Sequence, residues 1–214
     1  MIQAVIFDLD GVLVDTAHYH FIAWKRLANE LGVHFTEQEN EQLKGVSRMR
    51  SLEIILELGN LRLNQEEMER LATKKNKWFV EYINAMKADE IFPGVKELIQ
   101  DLRAVRIKVA LASSSKNADT VLNLLNIRNL FDTIVDGAMI THTKPDPEIF
   151  LLAAKKLNIP TSKCLVFEDA EAGVEAAVAA GMRCIGVGSP QQLAKADFVV
   201  SKTADFTIQK IKNI

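Results

Sequence analysis

The chain has 214 residues, of which 48% are hydrophobic and 25% are charged, a balance that is typical of a soluble folded protein. Its 26 basic and 28 acidic residues give a net charge of −2, and the sequence contains no dense basic run. This charge pattern argues against nucleic acid as a partner and favours a small molecule. No apolar run reaches the roughly 18 residues of a membrane span, and no basic leader precedes the first strand. We therefore expect a cytoplasmic protein without a membrane partner, and we expect a monomer.

The first strand ends in an unusual group of residues. The apolar run Ala4–Phe7 is typical of a strand buried on both faces, and Asp8, Asp10 and Gly11 follow it. Alternate residues of an extended chain point the same way, so the two carboxylates should leave the strand on one face. Because neighbouring desolvated carboxylates repel, the pair requires either a cation or a proton on one acid.

Helical spacing dominates the next part of the chain. A helix is predicted over residues 16–31, where Gly32 is a suitable end. No strand pattern interrupts the helical periodicity until about residue 88, and the further helical segments lie near residues 37–44, 48–58 and 64–86. The sequence thus predicts an all-helical block after the first strand.

Helices and strands alternate in the rest of the chain. Helices are predicted over residues 95–103, 118–125, 147–157 and 172–180, and strands over residues 107–112, 133–135, 164–167, 184–187 and 198–200. Such alternation indicates right-handed βαβ units on a parallel sheet, which the first strand should join. The predicted fold class is α/β, with a Rossmann-like parallel sheet core formed by residues 1–15 and 88–214 and an inserted all-helical cap domain formed by residues 16–87.

Polar residues follow the predicted strands at several places. Ligands of open parallel sheets bind at the carboxyl ends of the strands, where strand order reverses. The strand ends and helix starts that should meet there carry Asp8 and Asp10, residues 113–117, Lys144 with Pro145, and Glu168 with Asp169. The sequence therefore predicts a site at one edge of the sheet.

The residue types at this edge suit phosphoryl transfer. Oxygen ligands from Asp8, Asp169 and, as a further candidate, Glu168 would suit Mg²⁺, which also binds substrate phosphate. A carboxylate can act as a nucleophile and carry a phosphoryl group, and Asp8 is the candidate. Asp10 could exchange a proton with a substrate hydroxyl.

Phosphate oxygens would need partners at the same edge. Lys144 and the hydroxyl and N–H groups around Ser113 and Ser114 could hold them as charge moves in the transition state. Structural alternatives exist for each motif, because Ser115 could cap the next helix and Asp146-Pro147 could be only a helix start. An isolated lysine is usually a solvated surface charge, and an Asp-x-Asp pair at a strand end is usually a turn or a cap. The occurrence of all four motifs at one predicted edge favours a functional site.

With these residues in place, the chain resembles the haloacid dehalogenase superfamily of aspartyl-phosphate-forming phosphotransferases over essentially its whole length. The resemblance is carried by Asp8-Leu-Asp10-Gly11, Ser113, Lys144-Pro145 and Glu168-Asp169, in this order. It implies that Asp8 takes the phosphoryl group and that Asp10 is the general acid and base. It also implies that Ser113 and Lys144 hold the transferring group, that the Lys144–Pro145 peptide is cis, and that Mg²⁺ is surrounded by Asp8, Glu168, Asp169 and the carbonyl of Asp10.

The resemblance extends to the helical block, through the run at residues 43–48 and the motifs around Thr16, His20 and Lys75. It implies that these three residues couple closure of the cap, around residues 15 and 87–90, to the positioning of Asp10. Arg48 would bind the non-transferring phosphate, with Ser115, Lys116 and Asn117. The sugar site would be lined by Trp24, Gly45, Val46, Ser47 and Ser51. Packing or surface roles are the alternatives for His20, Trp24, Arg48 and Lys75.

The implied reaction converts β-glucose 1-phosphate to glucose 6-phosphate through a bound 1,6-bisphosphate, so the expected partners are sugar phosphates. A sugar-phosphate phosphatase with the same aspartyl phosphate is the nearest alternative, and a binding module without turnover is a second. The chain departs from the expected pattern at Met49-Arg50 and at His18, where acidic residues are expected. These departures bear on the substrate more than on the reaction class.

Overall fold

The computed structural model describes residues 1–43 and 45–211. The chain forms two compact units, one made of Met1–Asp15 with the residues from Lys87 onward and the other of Thr16–Met86. The boundaries between these units lie at 15/16 and 86/87. Lys44, the end of the predicted helix at residues 37–44, lies outside the described residues.

The first unit is built on a six-stranded sheet in the order β3-β2-β1-β4-β5-β6, in which all pairings are parallel. This agrees with the predicted α/β class. In its centre, Ile6 of β1 lies opposite Ala110 of β2 on one side and Val166 of β4 on the other. The strands are β1 Ala4–Phe7, β2 Lys108–Ala112, β3 Thr133–Val135, β4 Cys164–Glu168, β5 Arg183–Val187 and β6 Phe198–Val200.

The second unit is helical within its described residues. The predicted helix at residues 37–44 is divided into a four-residue α-helix and a 3-10 turn at Glu41–Leu43. The helices are α1 Ala17–Glu30, α2 Glu37–Asn40, α3 Arg48–Leu58 and α4 Gln65–Ile83. Helix α1 packs against α4, which in turn packs against α3.

The first unit also contains helices. They are α5 Val95–Ala104, α6 Ala118–Leu124, α7 Glu148–Leu157, α8 Glu171–Ala179 and α9 Ile208–Ile211. Helix α7 packs on β1, β2 and β3, and α8 packs on β4 and β5. Their apolar faces bury residues such as Ile149, Phe150 and Val174, each contributing about 1.5–3 kcal/mol by removal from water. Cys164 and Cys184 are both buried free thiols.

Two helix starts differ from the sequence-based alternatives. Asn117 precedes α6 as its cap residue, and Ser115 instead accepts a hydrogen bond from the Asn117 N–H at 3.2 Å. Pro147 occupies the cap position of α7, while the Asp146 carboxylate accepts from the Glu148 N–H at 2.9 Å. Among the described helices, none combines the length and the apolar composition that a bilayer crossing would require.

Candidate active site

Backbone hydrogen bonds fix the position of Asp8, the first residue of the turn at residues 8–14 that follows β1. The Asp8 N–H donates to the Phe167 carbonyl of β4 at 2.9 Å, so the residue stays in register at the strand end. The Asp8 carboxylate then accepts from the Asp10 N–H at 3.0 Å. Because Asp8 is only 6% exposed, its negative charge requires a partner inside the protein.

That partner is the ammonium group of Lys144. Its Nζ lies 2.6 Å from Asp8 Oδ1 and also contacts Glu168 Oε1, and the Lys144 side chain is fully buried. Burial by itself lowers the pKa of Lys144, but the two carboxylates more than reverse this, so that the pKa is raised above its usual value. Lys144 is therefore a buried charged bridge and not the solvated surface charge considered as the alternative. The cis peptide predicted between Lys144 and Pro145 is present.

Glu168 is the second carboxylate of the bridge. Burial raises its pKa to about 7, although the Lys144 ammonium opposes this change. The same carboxylate accepts from the Ala170 N–H at 3.1 Å. A Cβ atom at Gly173 would lie 2.0 Å from Glu168 Oε1, so this carboxylate needs a residue without a side chain at that position of α8. We did not single out Gly173 from the sequence; its signal is a glycine inside a predicted helix, near an acidic strand end.

Asp169 lies against the turn of residues 8–14. A Cβ atom at Gly11 would be 2.1 Å from Asp169 Oδ2, and Gly11 also has a φ of +73°, which favours glycine. The ends of β1 and β4 thus carry three carboxylates, and those of Asp8 and Glu168 contact the same ammonium group while that of Asp169 lies beside Gly11. Oxygen donors of this kind fit a hard divalent cation such as Mg²⁺.

Among the described residues, a group of side chains whose ligand atoms are close enough to hold a metal ion lies outside the predicted metal site. Among them, three ligand atoms lie within 4.8 Å of one another at His142, Asp146 and Glu148, whereas the predicted metal residues do not form such a group. Two of these three have structural roles, since Glu148 accepts from backbone N–H groups of the preceding loop and the Asp146 carboxylate accepts from the Glu148 N–H at the start of α7. At the sheet edge, Lys144 is the cation between the carboxylates of Asp8 and Glu168.

The loop after β2 carries the predicted serines. Ser113 is buried, its N–H donates to the Val135 carbonyl at 3.1 Å, and its hydroxyl oxygen accepts from the Ser115 N–H at 3.1 Å. The ammonium of Lys144 also lies 3.4 Å from the Ala112 carbonyl, one residue before Ser113. The second predicted motif is therefore next to the carboxylate bridge. Of the other residues of this loop, Ser114 and Asn117 are half-buried and Lys116 is exposed.

In the helical unit, Lys75 is buried beside His20. The Lys75 ammonium donates to His20 Nδ1 at 2.7 Å and lies 4.5 Å from the centre of the Trp24 ring. The His20 ring stacks on Phe79 with centroids 4.0 Å apart. Burial, followed by the charges of Lys75 and Arg48, holds the pKa of His20 well below its usual value. His20 is thus a neutral acceptor at neutral pH, and Lys75 is not the helix-surface charge considered as the alternative.

The start of α3 contains the residues predicted for the distal phosphate and the sugar. Gly45 has a φ of +72°, Val46 is half-buried, and Ser47 caps the helix by accepting from the Arg50 N–H at 3.1 Å. The Ser51 hydroxyl donates to the Ser47 carbonyl at 3.1 Å.

Arg48 is the first residue of α3, and burial lowers its pKa. Arg50 lies on the exposed side of the helix and pairs with Glu53 and Glu57 at 3.0 and 2.8 Å. Thr16 precedes α1; it is buried, and its hydroxyl has no hydrogen-bond partner among the described residues.

Comparison with known proteins gives the family. A family model described as haloacid dehalogenase-like hydrolase matches residues 2–181, so the chain belongs to this family, as the sequence motifs predicted. The chain is 43% identical to a β-phosphoglucomutase of Bacillus subtilis, over 97% of this chain and 92% of that protein.

Two further relatives bear on the activity. A crystal structure of β-phosphoglucomutase from Clostridium difficile superposes with a TM-score of 0.97 at 44% identity, covering 100% of this chain and 96% of that chain. A phosphorylated carbohydrates phosphatase of Thermotoga maritima is 37% identical, over 86% of this chain and 83% of that protein. The relatives of this chain thus include both a mutase and a phosphatase.

Proposed function

We propose that the protein is a phosphomutase that interconverts β-glucose 1-phosphate and glucose 6-phosphate through an aspartyl phosphate and a bound glucose 1,6-bisphosphate. The observation that carries the proposal is the buried Asp8–Lys144–Glu168 bridge at the carboxyl ends of neighbouring strands. It supplies a carboxylate nucleophile next to a fixed positive charge. The high identity to two β-phosphoglucomutases supports the choice of substrate.

Asp8 is proposed as the nucleophile. One of its carboxylate oxygens attacks the C1 phosphorus of the bound 1,6-bisphosphate, the bond from that phosphorus to the sugar oxygen breaks, and Asp10 gives its proton to the departing oxygen, so that glucose 6-phosphate is released. In the other half of the reaction, Asp10 takes a proton from the free 6-hydroxyl of β-glucose 1-phosphate as that hydroxyl attacks the aspartyl phosphate, which forms the 1,6-bisphosphate and frees the Asp8 carboxylate. The Lys144 ammonium and the Ser113 side chain would stabilise the negative charge on the transferring oxygens.

We propose that the divalent cation of this site is Mg²⁺, held by Asp8, Asp169, Glu168 and the Asp10 carbonyl. When bound, it neutralises charge between the carboxylates and the phosphoryl oxygens. Turnover should stop in excess chelator and return when Mg²⁺ is added. If chelated enzyme kept full activity, the cation would have no part in the reaction.

Arg48 is the residue that distinguishes a mutase from a simple phosphatase in this proposal. A bisphosphate intermediate has two phosphates, and a guanidinium binds the second one through paired hydrogen bonds. Arg50 offers a matched control, since it lies two residues away and is already paired with Glu53 and Glu57. We expect Arg48→Ala to lose at least about 100-fold in mutase kcat/KM, from the loss of a charge-assisted phosphate contact, and Arg50→Ala to stay within about threefold of the parent.

The direct test is to incubate the enzyme with β-glucose 1-phosphate and a catalytic amount of glucose 1,6-bisphosphate and to follow both sugars by phosphorus NMR. Formation of glucose 6-phosphate supports the mutase. Release of inorganic phosphate from many sugar phosphates without isomerisation would instead favour the phosphatase, the function of the Thermotoga maritima relative. The Asp8→Asn variant tests the enzyme mechanism against the alternative of a binding module without turnover. Unchanged turnover after loss of the nucleophile would refute the enzyme mechanism.

A further inference from the structure

We propose that Thr203 is a positioning residue for the turn of residues 8–14, which carries Asp8 and Asp10. The proposal rests on the function proposed above. The Thr203 hydroxyl donates to the Val12 carbonyl at 2.6 Å, and both residues are almost completely buried. Thr203 begins a 3-10 helix, Thr203–Asp205, that lies beyond residue 181, where the match to the family model ends.

The turn of residues 8–14 is short and is held by hydrogen bonds of its own and by bonds to neighbouring segments. The Gly11 N–H donates to the Val14 carbonyl at 2.9 Å, and the Leu13 N–H donates to the Leu9 carbonyl at 2.9 Å. Two of its carbonyl groups accept hydrogen bonds from other segments of the same unit. The Leu13 carbonyl accepts from the Phe92 N–H at 2.9 Å, and the Val12 carbonyl accepts from Thr203.

The bond from Thr203 therefore fixes the part of the turn that follows Asp10. Val12 is completely buried, so a carbonyl deprived of its donor cannot simply bond to bulk water in the same position. The turn would have to move to satisfy that carbonyl. Asp10 is only two residues away, and a displacement of about 1 Å at a reacting group can cost about 100-fold in rate.

The segment around Thr203 also packs, through aromatic rings, toward the strand end that carries Asp8. Phe206 contacts Phe167 edge to face with centroids 5.2 Å apart, and Phe167 stacks on Phe7, the residue before Asp8, at 4.9 Å. A Cβ atom at Gly94 would lie 2.6 Å from the Cβ of Ala204, so the same segment also lies close to the start of α5. Thr203 thus belongs to a rigid support and not to a loose surface strand.

The test compares Thr203→Val, which keeps the shape and removes the hydroxyl, with Thr203→Ser, which keeps the hydroxyl. Ile211→Val is the matched control, because Ile211 is a buried residue of α9 in the same C-terminal region and takes no part in the hydrogen bonds described above for the turn. We expect Thr203→Val to lower kcat by about tenfold or more with KM changed by less than about twofold, because the turn is displaced. Thr203→Ser should recover most of kcat, and Ile211→Val should leave kcat unchanged.

Amide hydrogen exchange gives a readout independent of turnover. The Gly11 and Val14 amides should exchange faster in Thr203→Val than in Ile211→Val at equal global stability. If valine prevents folding, Thr203→Ala is measured in its place. A folded variant without the hydroxyl that keeps kcat within about twofold of the parent, or that protects these amides as well as Ile211→Val does, would overturn the proposal. If the parent enzyme makes no glucose 6-phosphate, the proposed function fails separately, and kcat is then taken from phosphate release.

Discussion

Replacing Lys144 by methionine should destabilise the protein strongly at neutral pH. The substitution keeps most of the volume but leaves the carboxylates of Asp8 and Glu168, whose side chains are only 8% and 1% exposed, without their shared cation. Removing one partner of a buried ion pair typically costs about 3–5 kcal/mol, because the remaining charge stays desolvated. We expect a loss of that size in the free energy of unfolding, measured by urea denaturation in chelator at about pH 7.5.

The pH dependence of this loss provides a sharper test. Lys144 opposes the increase in the pKa of Glu168, so in Lys144→Met that pKa should rise above its value of about 7. An acid with a raised pKa in the folded state binds protons more readily than in the unfolded state. Its contribution to stability is therefore present at low pH and is lost as the pH rises through the folded pKa. The cost of Lys144→Met should accordingly be smaller at about pH 5.5 than at about pH 7.5.

Lys108→Met is the control, since this lysine is 55% exposed and pairs with Asp132 at 2.9 Å on the surface. Its cost should stay below about 1 kcal/mol at either pH, as for other surface ion pairs. A Lys144→Met protein as stable as Lys108→Met at neutral pH, or one whose loss is the same at both pH values, would refute the reasoning.

Two further substitutions test the site. His20 is neutral in the folded protein because burial and the charges of Lys75 and Arg48 hold its pKa well below the usual value. Below about pH 6.5, this histidine therefore binds a proton in the unfolded chain more readily than in the folded protein. The free energy of unfolding of the parent should therefore fall with decreasing pH, by up to about 1.4 kcal/mol per pH unit from this residue. The His20→Gln variant should lack this contribution. If urea denaturation gave the same pH dependence for both proteins, the account of His20 would be contradicted. Gly173→Ala should weaken Mg²⁺ binding about tenfold or more, since its Cβ would displace the Glu168 carboxylate, even though alanine favours a helix by up to about 1 kcal/mol. Metal titration with unchanged affinity would show that Glu168 adapts freely.

The fold follows from sequence periodicity to a large extent. The six strands of the described sheet match the predicted segments to within one residue at either end, because buried parallel strands are continuous apolar runs between turn residues. Helix ends were less predictable. Residues 37–44 have helical spacing, but the described part contains only a four-residue α-helix and a 3-10 turn. Helix α9 was not predicted, since four residues are too few to show a period.

The site was less accessible to sequence analysis than the fold. The motifs gave the residues at the sheet edge, but burial of Lys144 between two carboxylates depends on residues 136 and 24 positions apart in the chain. No local pattern contains that information. The need for glycine at position 173 likewise arises from the Glu168 carboxylate, and the Thr203 contact joins residues 191 positions apart. Long-range contacts of this kind are visible only in the folded chain.

The central claim is that Asp8 carries the phosphoryl group. It is tested most directly by incubating the enzyme with a phosphoryl donor, quenching in acid, and reducing the acyl phosphate with borohydride before peptide mass spectrometry. The mechanism requires that the carboxylate of Asp8, and no other, is converted to an alcohol, and that Asp8→Asn gives no modified peptide while losing at least about 1,000-fold in kcat. A phosphoryl group on another residue, or an Asp8→Asn enzyme with parental turnover, would contradict the mechanism.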